Sequence, residues 1–209
     1  MKLSAFALDY DGTIAVDGVL DADVRDAIAV ARRQGIMAIL VTGRRLVDLR
    51  RVAGDLTCFD VVVAENGGVL DFPVTGRHVV LGHRPYPAFV DGLRCYLSLR
   101  KDRRRGAHVT VGETVVETDA TSADAALDVL RTLELPLILA FNRGRLMVLP
   151  QGVAKSTGLR QALSALRLSI HNTIGIGDAE SVRLHGERAP RTARPYPQGV
   201  HGPALGISS

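Results

Sequence analysis

Two aspartates stand at the end of an apolar run near the start of the sequence. Residues 3–8 predict a buried strand, which ends in Asp9 and Asp11 followed by Gly12. A carboxylate attacks a phosphate ester poorly unless charge is cancelled, and a Mg²⁺ ion shared with a phosphate oxygen supplies that cancellation. Asp9 could then attack phosphorus and form an aspartyl-phosphate, while Asp11 protonates the leaving alcohol and later activates water. The alternative interpretation is an acidic turn without chemistry.

Further polar groups stand where other strands end or helices begin. Thr42 and Gly43 follow a second apolar run and offer a hydroxyl and backbone N–H groups, which suit an anion near a helix start. Lys155 begins a predicted helix and could hold the same phosphate, and Asp178 ends another apolar run as a potential metal ligand. Each group alone fits an ordinary turn or a solvated side chain. Together, and in this order, they predict one phosphate site.

The elements that must position these residues alternate between strand and helix. Apolar runs at 3–8, 36–41 and 59–64 are separated by helical patterns at 22–34 and 47–53. Continuous apolar strands that alternate with helices predict a parallel sheet covered by helices on both faces. Ligands bind beyond the carboxyl ends of such strands, which is where the aspartates and Thr42 stand.

A different pattern begins at about residue 85. Helices are predicted from Pro87 and from Thr121, with Thr121 as N-cap, and two short strands joined by turn residues follow each helix. This order predicts a small α+β insert at 85–150. The core domain would then be discontinuous, over 1–84 and 151–182.

The remaining residues, 183–209, alternate Pro, Gly and Arg without a period and predict an irregular tail. The net charge is +4, but this tail holds four Arg and one Glu, which leaves 22 basic and 21 acidic residues in 1–182. The charge therefore does not favour a nucleic-acid partner. No apolar stretch reaches the roughly 18 residues of a membrane span. Cys58 and Cys95 lack metal-like spacing, so we expect a cytoplasmic protein with free thiols. Nothing in the sequence indicates an oligomeric state.

The four motifs resemble those of the haloacid dehalogenase superfamily. The matching stretches are Asp9-Tyr-Asp11-Gly-Thr, Thr42-Gly43-Arg44, Lys155 and Gly177-Asp178-Ala-Glu. "VVAENGGVL" and "FNRGRLMVLPQGVAKSTGLRQAL" are similar to the Cof-like phosphatases, whose cap is of type IIB. The resemblance covers about residues 3–181. It implies an α/β fold with a Rossmann-like core, a parallel sheet and a small α+β type IIB cap.

The resemblance also implies a Mg²⁺-dependent phosphatase that acts on a small phosphorylated metabolite, such as a sugar phosphate or a phosphoglycolate-like acid. Asp9 would be the nucleophile and Asp11 the general acid/base. The further implied site residues are Thr42, Gly43 and Lys155 for phosphate, Arg44 and Asn66 for substrate, and Asp9, Asp11 and Asp178 for the metal.

Two features depart from the family pattern. Val182 stands where a second acid of the fourth motif is usual, so weakened metal binding is expected. The tail replaces further sheet and helix, and one hypothesis is that the reading frame is lost just after Glu180. Translating the coding DNA in its other two frames tests this idea. Two alternatives stay open: an inactive remnant that only binds phosphorylated ligands, and a phospho-acceptor signalling domain, against which the insert argues.

Overall fold

The computed structural model describes residues 3–16, 18–99, 108–142 and 144–177. Three 3-10 turns, at 65–67, 120–122 and 170–172, join some of the elements. The strands are β1 (Ala5–Asp9), β2 (Ala15–Val16), β3 (Val19–Leu20), β4 (Met37–Val41), β5 (Val61–Ala64), β6 (Val69–Phe72), β7 (Arg77–Val80), β8 (Thr110–Val111), β9 (Val116–Asp119), β10 (Leu137–Asn142), β11 (Arg145–Pro150) and β12 (Thr173–Ile176). The helices are α1 (Ala22–Arg33), α2 (Leu46–Ala53), α3 (Pro87–Leu99), α4 (Ala123–Thr132) and α5 (Lys155–Ala165).

The first sheet has the order β12-β1-β4-β5-β6-β7. The pairs β12–β1, β1–β4 and β4–β5 are parallel, which confirms the predicted parallel sheet. β6 and β7 pair antiparallel and extend one edge, a feature that the sequence pattern did not predict. In the register of the β1–β4 pair, Asp9 lies opposite Val41, so Thr42 follows directly at the same edge of the sheet.

Helices cover both faces of this sheet because its strands are apolar on both sides. Ile28 of α1 and Leu49 of α2 pack on one face, and Leu159 and Leu163 of α5 pack on the other. Asp21 is the N-cap of α1, where its carboxylate accepts a hydrogen bond from the Asp23 N–H at 2.8 Å. These two layers hold the strand ends that carry the motifs.

The second sheet is antiparallel, with the order β10-β11-β9-β8, and it lies within the predicted insert. Helices α3 and α4 pack on one face around Phe89, Leu93 and Leu146. Met147 and Leu149 point to the other face. The predicted N-cap Thr121 is wrong: a 3-10 turn at 120–122 precedes α4, and Ser122 takes the cap position, although its hydroxyl accepts no hydrogen bond from the helix N–H groups.

In the described part of the chain, no helix combines the length and the apolar composition needed to cross a membrane. The predicted metal ligand Asp178, the divergent Val182 and the tail at 183–209 lie outside the described residues.

Candidate active site

Asp9 and Lys155 form an ion pair at the carboxyl edge of the first sheet. Asp9 ends β1 and is only 4% exposed, and Lys155 is the first residue of α5. The lysine Nζ lies 2.8 Å from Asp9 Oδ1 across 146 positions of sequence. Because a buried carboxylate is costly without a partner, this ammonium offsets part of the cost of burying Asp9.

Asp11 is held by the fork of Arg44. The arginine Nε donates to Asp11 Oδ2 at 2.8 Å and Nη2 donates to Oδ1 at 2.7 Å, which is a bidentate pair. These hydrogen bonds, outweighing burial, raise the pKa of Arg44. The guanidinium also lies 5.7 Å from the centre of the Tyr10 ring, and a Cβ added at Gly18 would lie 3.4 Å from its Nη2. Arg44 is thus packed in place beside the second aspartate.

The loop after β4 is fixed by its own backbone. Thr42 is buried; its N–H donates to Val63 O at 2.8 Å, and its hydroxyl oxygen accepts from the Arg44 N–H at 3.1 Å. A Cβ added at Gly43 would lie 3.3 Å from the amide Nδ2 of Asn142. Glycine therefore allows the second sheet to approach the loop that we expect to bind phosphate.

The backbone of Asn66 is hydrogen-bonded to this loop. Its N–H donates to Thr42 O at 3.1 Å, and its φ of 58° places it in the left-handed region. The structure therefore brings together the described members of the predicted site, which are Asp9, Asp11, Thr42, Gly43, Arg44, Asn66 and Lys155. A direct contact of Arg44 with Asp11 was not predicted, since the sequence suggested substrate binding for this arginine.

Part of a candidate metal site lies within the described residues. Within the described ranges no group of three or more His, Cys, Asp or Glu side chains is arranged to hold an ion. Asp9 and Asp11 supply two hard oxygen donors, which suit Mg²⁺. Among the described residues, Lys155 forms an ion pair with Asp9 and Arg44 forms one with Asp11. A bound phosphate dianion would leave this group negative, and a divalent cation fits that deficit.

The second sheet brings charged groups to the site that sequence reasoning missed. Glu117 of β9 lies 3.9 Å from Nε of Arg45 and 3.3 Å from Nη2 of Arg145. Burial raises the pKa of the Glu117 carboxyl, although both arginines act in the opposite direction. Arg45 also pairs with Asp48. No sequence signal marks Glu117, because its neighbours come from separate elements.

Residues 6–80 match the family of haloacid dehalogenase-like hydrolases. The chain is 27% identical over 187 residues to a phosphoglycolate phosphatase of Nitrosopumilus maritimus, which covers 86% of this chain and 77% of that relative. It is 37% identical over 83 residues to a phosphoglycolate phosphatase of Archaeoglobus fulgidus, which covers 40% of this chain and 36% of that relative.

A solved sugar phosphatase of haloacid dehalogenase subclass IIB has a similar structure. Its TM-score with this chain is 0.59 at 14% sequence identity, and the match covers 84% of this chain and 80% of that one. At this identity the likeness concerns the fold. It confirms the expected architecture of a Rossmann-like core with a small α+β cap.

Proposed function

We propose that this chain, which belongs to the haloacid dehalogenase superfamily, is an enzyme that hydrolyses a small phosphate monoester. The observation that carries the proposal is the meeting of Asp9, Asp11, Arg44 and Lys155 at the carboxyl edge of the sheet. The two relatives described as phosphoglycolate phosphatases support the same reaction class.

The reaction has two steps. One oxygen of Asp9 attacks phosphorus, the bond to the leaving oxygen breaks, and Asp11 gives that oxygen its proton. In the second step Asp11 takes a proton from water, the water oxygen attacks phosphorus, and the bond to Asp9 breaks to release inorganic phosphate. Thr42, Gly43 and Lys155 hold the phosphate oxygens throughout, so that the reacting atoms stay in line.

Mg²⁺ is the proposed cofactor. Asp9 and Asp11 would hold it, together with Asp178, and Asp11 would contribute its backbone carbonyl. When bound, the ion would neutralise charge on the phosphate oxygens. The residues of the chain supply the nucleophile, the proton and the anion-binding groups.

The proposed substrate is a small phosphorylated metabolite, either a phosphoglycolate-like acid or a sugar phosphate, in the cytoplasm. Arg44 and Asn66 are the proposed ligands of the part of the substrate beyond the phosphate. We propose the cap domain at 85–150 and the core domain at 1–84 and 151–182, so that the substrate binds between them. A cap over the site would exclude water that competes with the proposed steps.

The test is phosphate release from p-nitrophenyl phosphate, 2-phosphoglycolate and a panel of sugar phosphates, with and without Mg²⁺. Asp9→Asn should reduce the rate at least about 10³-fold because the nucleophile is removed. Asp21→Asn is the matched control, since asparagine also caps a helix well and this position lies at the start of α1. Full activity of Asp9→Asn would refute the assignment of the nucleophile.

Absence of activity in the unaltered chain would favour the alternative that Val182 suggests, a remnant that only binds phosphorylated ligands. Calorimetry with inorganic phosphate and 2-phosphoglycolate then distinguishes a binding protein from a chain without a working site.

A further inference from the structure

The turn that follows β5 has an unusual backbone. Glu65, Asn66 and Gly67 have φ values of 51°, 58° and 103°, so three successive residues lie in the left-handed region. This region is unfavourable for residues other than glycine because Cβ approaches the following carbonyl oxygen. Such strain persists only where the surroundings enforce it, and it is often found next to functional sites. We call residues 65–67 the joint.

The joint is bonded to the loop that we expect to bind phosphate. The N–H of Glu65 donates to Arg44 O at 2.9 Å, and the N–H of Asn66 donates to Thr42 O at 3.1 Å. These two carbonyls flank Gly43. The position of the loop therefore depends on the conformation of the joint.

The joint also lies against the start of α5. A Cβ added at Gly67 would lie 2.0 Å from Ala154 O, and one added at Gly158 would lie 2.5 Å from the Cα of Gly67. Only glycine allows this approach at either position. Because Lys155 begins α5, the joint contacts both elements that carry the proposed phosphate ligands.

The side chain of Glu65 reaches the second sheet instead. It is 2% exposed, and its Oε1 accepts from the Glu113 N–H at 3.1 Å. Its Oε2 accepts from the N–H and the hydroxyl of Thr114, at 2.8 and 3.1 Å. A Cβ added at Gly112 would lie 2.7 Å from the carboxylate oxygens, so the hairpin between β8 and β9 fits closely around it.

We propose that Glu65 is a positioning residue whose hydrogen bonds link the cap hairpin at 112–114 to the two phosphate-binding elements. The carboxylate makes three charge-assisted hydrogen bonds to the hairpin, while its own backbone holds the loop of Thr42. A movement of the cap is thereby transmitted to the phosphate site, and the cap stays seated over it. The kinetic part of this inference rests on the proposed phosphatase function; the contact itself does not.

The test compares Glu65→Gln with Glu113→Gln, the same chemical change on the two sides of the contact. A glutamine at 65 keeps one carbonyl acceptor but turns an NH₂ group toward N–H donors. At least one of the hydrogen bonds to the hairpin is therefore lost. The Glu113 side chain is partly exposed and pairs with His78 at 2.9 Å on the surface, and its removal leaves the backbone N–H in place. An exposed pair of this kind contributes little.

Hydrogen exchange at the amides of Glu113 and Thr114 reports the contact without any assay of activity. We expect exchange at least tenfold faster in Glu65→Gln and unchanged at Thr114 in Glu113→Gln. For the best substrate found, kcat/KM should fall at least tenfold in Glu65→Gln, and KM should rise. Preference should shift toward the bulkier p-nitrophenyl phosphate, because a loosened cap admits larger esters.

Unchanged exchange in Glu65→Gln overturns the proposal that Glu65 holds the hairpin. Faster exchange with unchanged kinetics overturns the coupling between the hairpin and the phosphate site. If the unaltered chain hydrolyses no ester, the proposed function fails, and the coupling is judged by whether Glu65→Gln weakens binding of inorganic phosphate in calorimetry. If Glu65→Gln does not fold, Thr114→Val takes its place, since it removes one of the three hydrogen bonds, with Thr114→Ser as the variant that keeps the hydroxyl. Equal exchange and kinetics in those two variants overturn the proposal.

Discussion

The two aspartates of the proposed site have different kinds of cationic partner. Asp9 meets the compact ammonium of Lys155 at a single oxygen, whereas both oxygens of Asp11 meet the planar fork of Arg44. A lysine ammonium is a point charge that does not fix the plane of the Asp9 carboxylate. An arginine fixes the plane of the Asp11 carboxylate, which suits a group that must aim a proton.

Replacing Arg44 by lysine tests this difference. The charge remains, but a single ammonium cannot hold both oxygens of Asp11, so the carboxylate loses its orientation. We expect kcat to fall about tenfold to a hundredfold, the size of effect that a displaced catalytic group produces. KM should change less, because the cation is retained. Steady-state kinetics with 2-phosphoglycolate measures both quantities.

Arg51→Lys is the matched control for this substitution. Arg51 is 76% exposed and pairs with Asp48 on the surface of α2. The kinetic constants of Arg51→Lys should therefore stay within twofold of those of the unaltered chain. A change in KM alone for Arg44→Lys would contradict orientation of Asp11 and return Arg44 to the role of a substrate ligand.

Helix α5 places Lys155 by packing against the joint. Gly158, in its first turn, lies so close that an added Cβ would be 2.6 Å from Val63 Cγ1. Gly158→Ala should destabilise the chain by about 1–3 kcal/mol through overpacking, although alanine alone would favour the helix by about 1 kcal/mol. The displaced α5 should also raise KM. Urea unfolding and steady-state kinetics give the two quantities.

Gln161→Ala controls for helix propensity, because residue 161 lies on the exposed side of the same helix. It should leave KM unchanged and alter the unfolding free energy by less than about 0.5 kcal/mol. A Gly158→Ala variant as stable as Gln161→Ala would show that α5 can shift away from the joint at no cost.

The elements differ in how well the sequence predicts them. Continuous apolar runs predicted β1, β4, β5 and β12, and the Asp21 cap predicted the start of α1. The hairpin of β2 and β3 was not predicted, since two residues in each strand are too few to show a period. The antiparallel pair β6–β7 was not predicted either, because charged residues such as Asp71 and Arg77 leave no continuous apolar run there.

The residues of the candidate site also differ in how well the sequence predicts them. Asp9, Thr42 and Lys155 stand at the ends of elements, where sequence order alone suggests a meeting at one edge of a parallel sheet. Glu65 and Glu117 could not be found in this way. Their roles depend on how the second sheet lies against the first, and that depends on packing between residues about 50 positions apart or more.

The buried carboxyl of Glu117 in strand β9 makes the free energy of unfolding depend on pH. Because burial raises the pKa of its carboxyl above the ordinary value near 4.5, the folded chain binds this proton more tightly than the unfolded chain. The contribution of Glu117 to the free energy of unfolding therefore falls as the pH rises from the ordinary pKa through the raised one. Glu117→Gln stays neutral, so its stability relative to the unaltered chain should increase between pH 4 and pH 7.

Urea unfolding of both proteins at the two pH values measures this difference, in which the other titrating groups cancel. Gln161→Ala, which exchanges one uncharged side chain for another at an exposed position, should show no such trend. If the stability difference for Glu117→Gln stays constant or shrinks with pH, then Arg45 and Arg145 offset the burial of the carboxylate completely.

In the described part of the proposed site, Asp9 is paired with Lys155 and Asp11 with Arg44. We propose Asp178 as a third carboxylate there. A phosphate dianion would add further negative charge to this group. Its binding must be coupled to that of a cation, and coupling between two ligands is reciprocal.

Thermal unfolding in the presence of inorganic phosphate tests this coupling. With Mg²⁺ and phosphate at about 100 times its Kd, binding should stabilise the folded chain by about 2.7 kcal/mol, which corresponds to roughly 5–10 °C for a chain of this size. With a chelator in place of Mg²⁺, the same phosphate concentration should give less than a third of that shift, because the added charge stays uncompensated. Sodium chloride at equal ionic strength is the control for general salt effects. Equal shifts with Mg²⁺ and with chelator would mean that Lys155 and Arg44 alone bind the anion, and that Arg44 leaves Asp11 to do so.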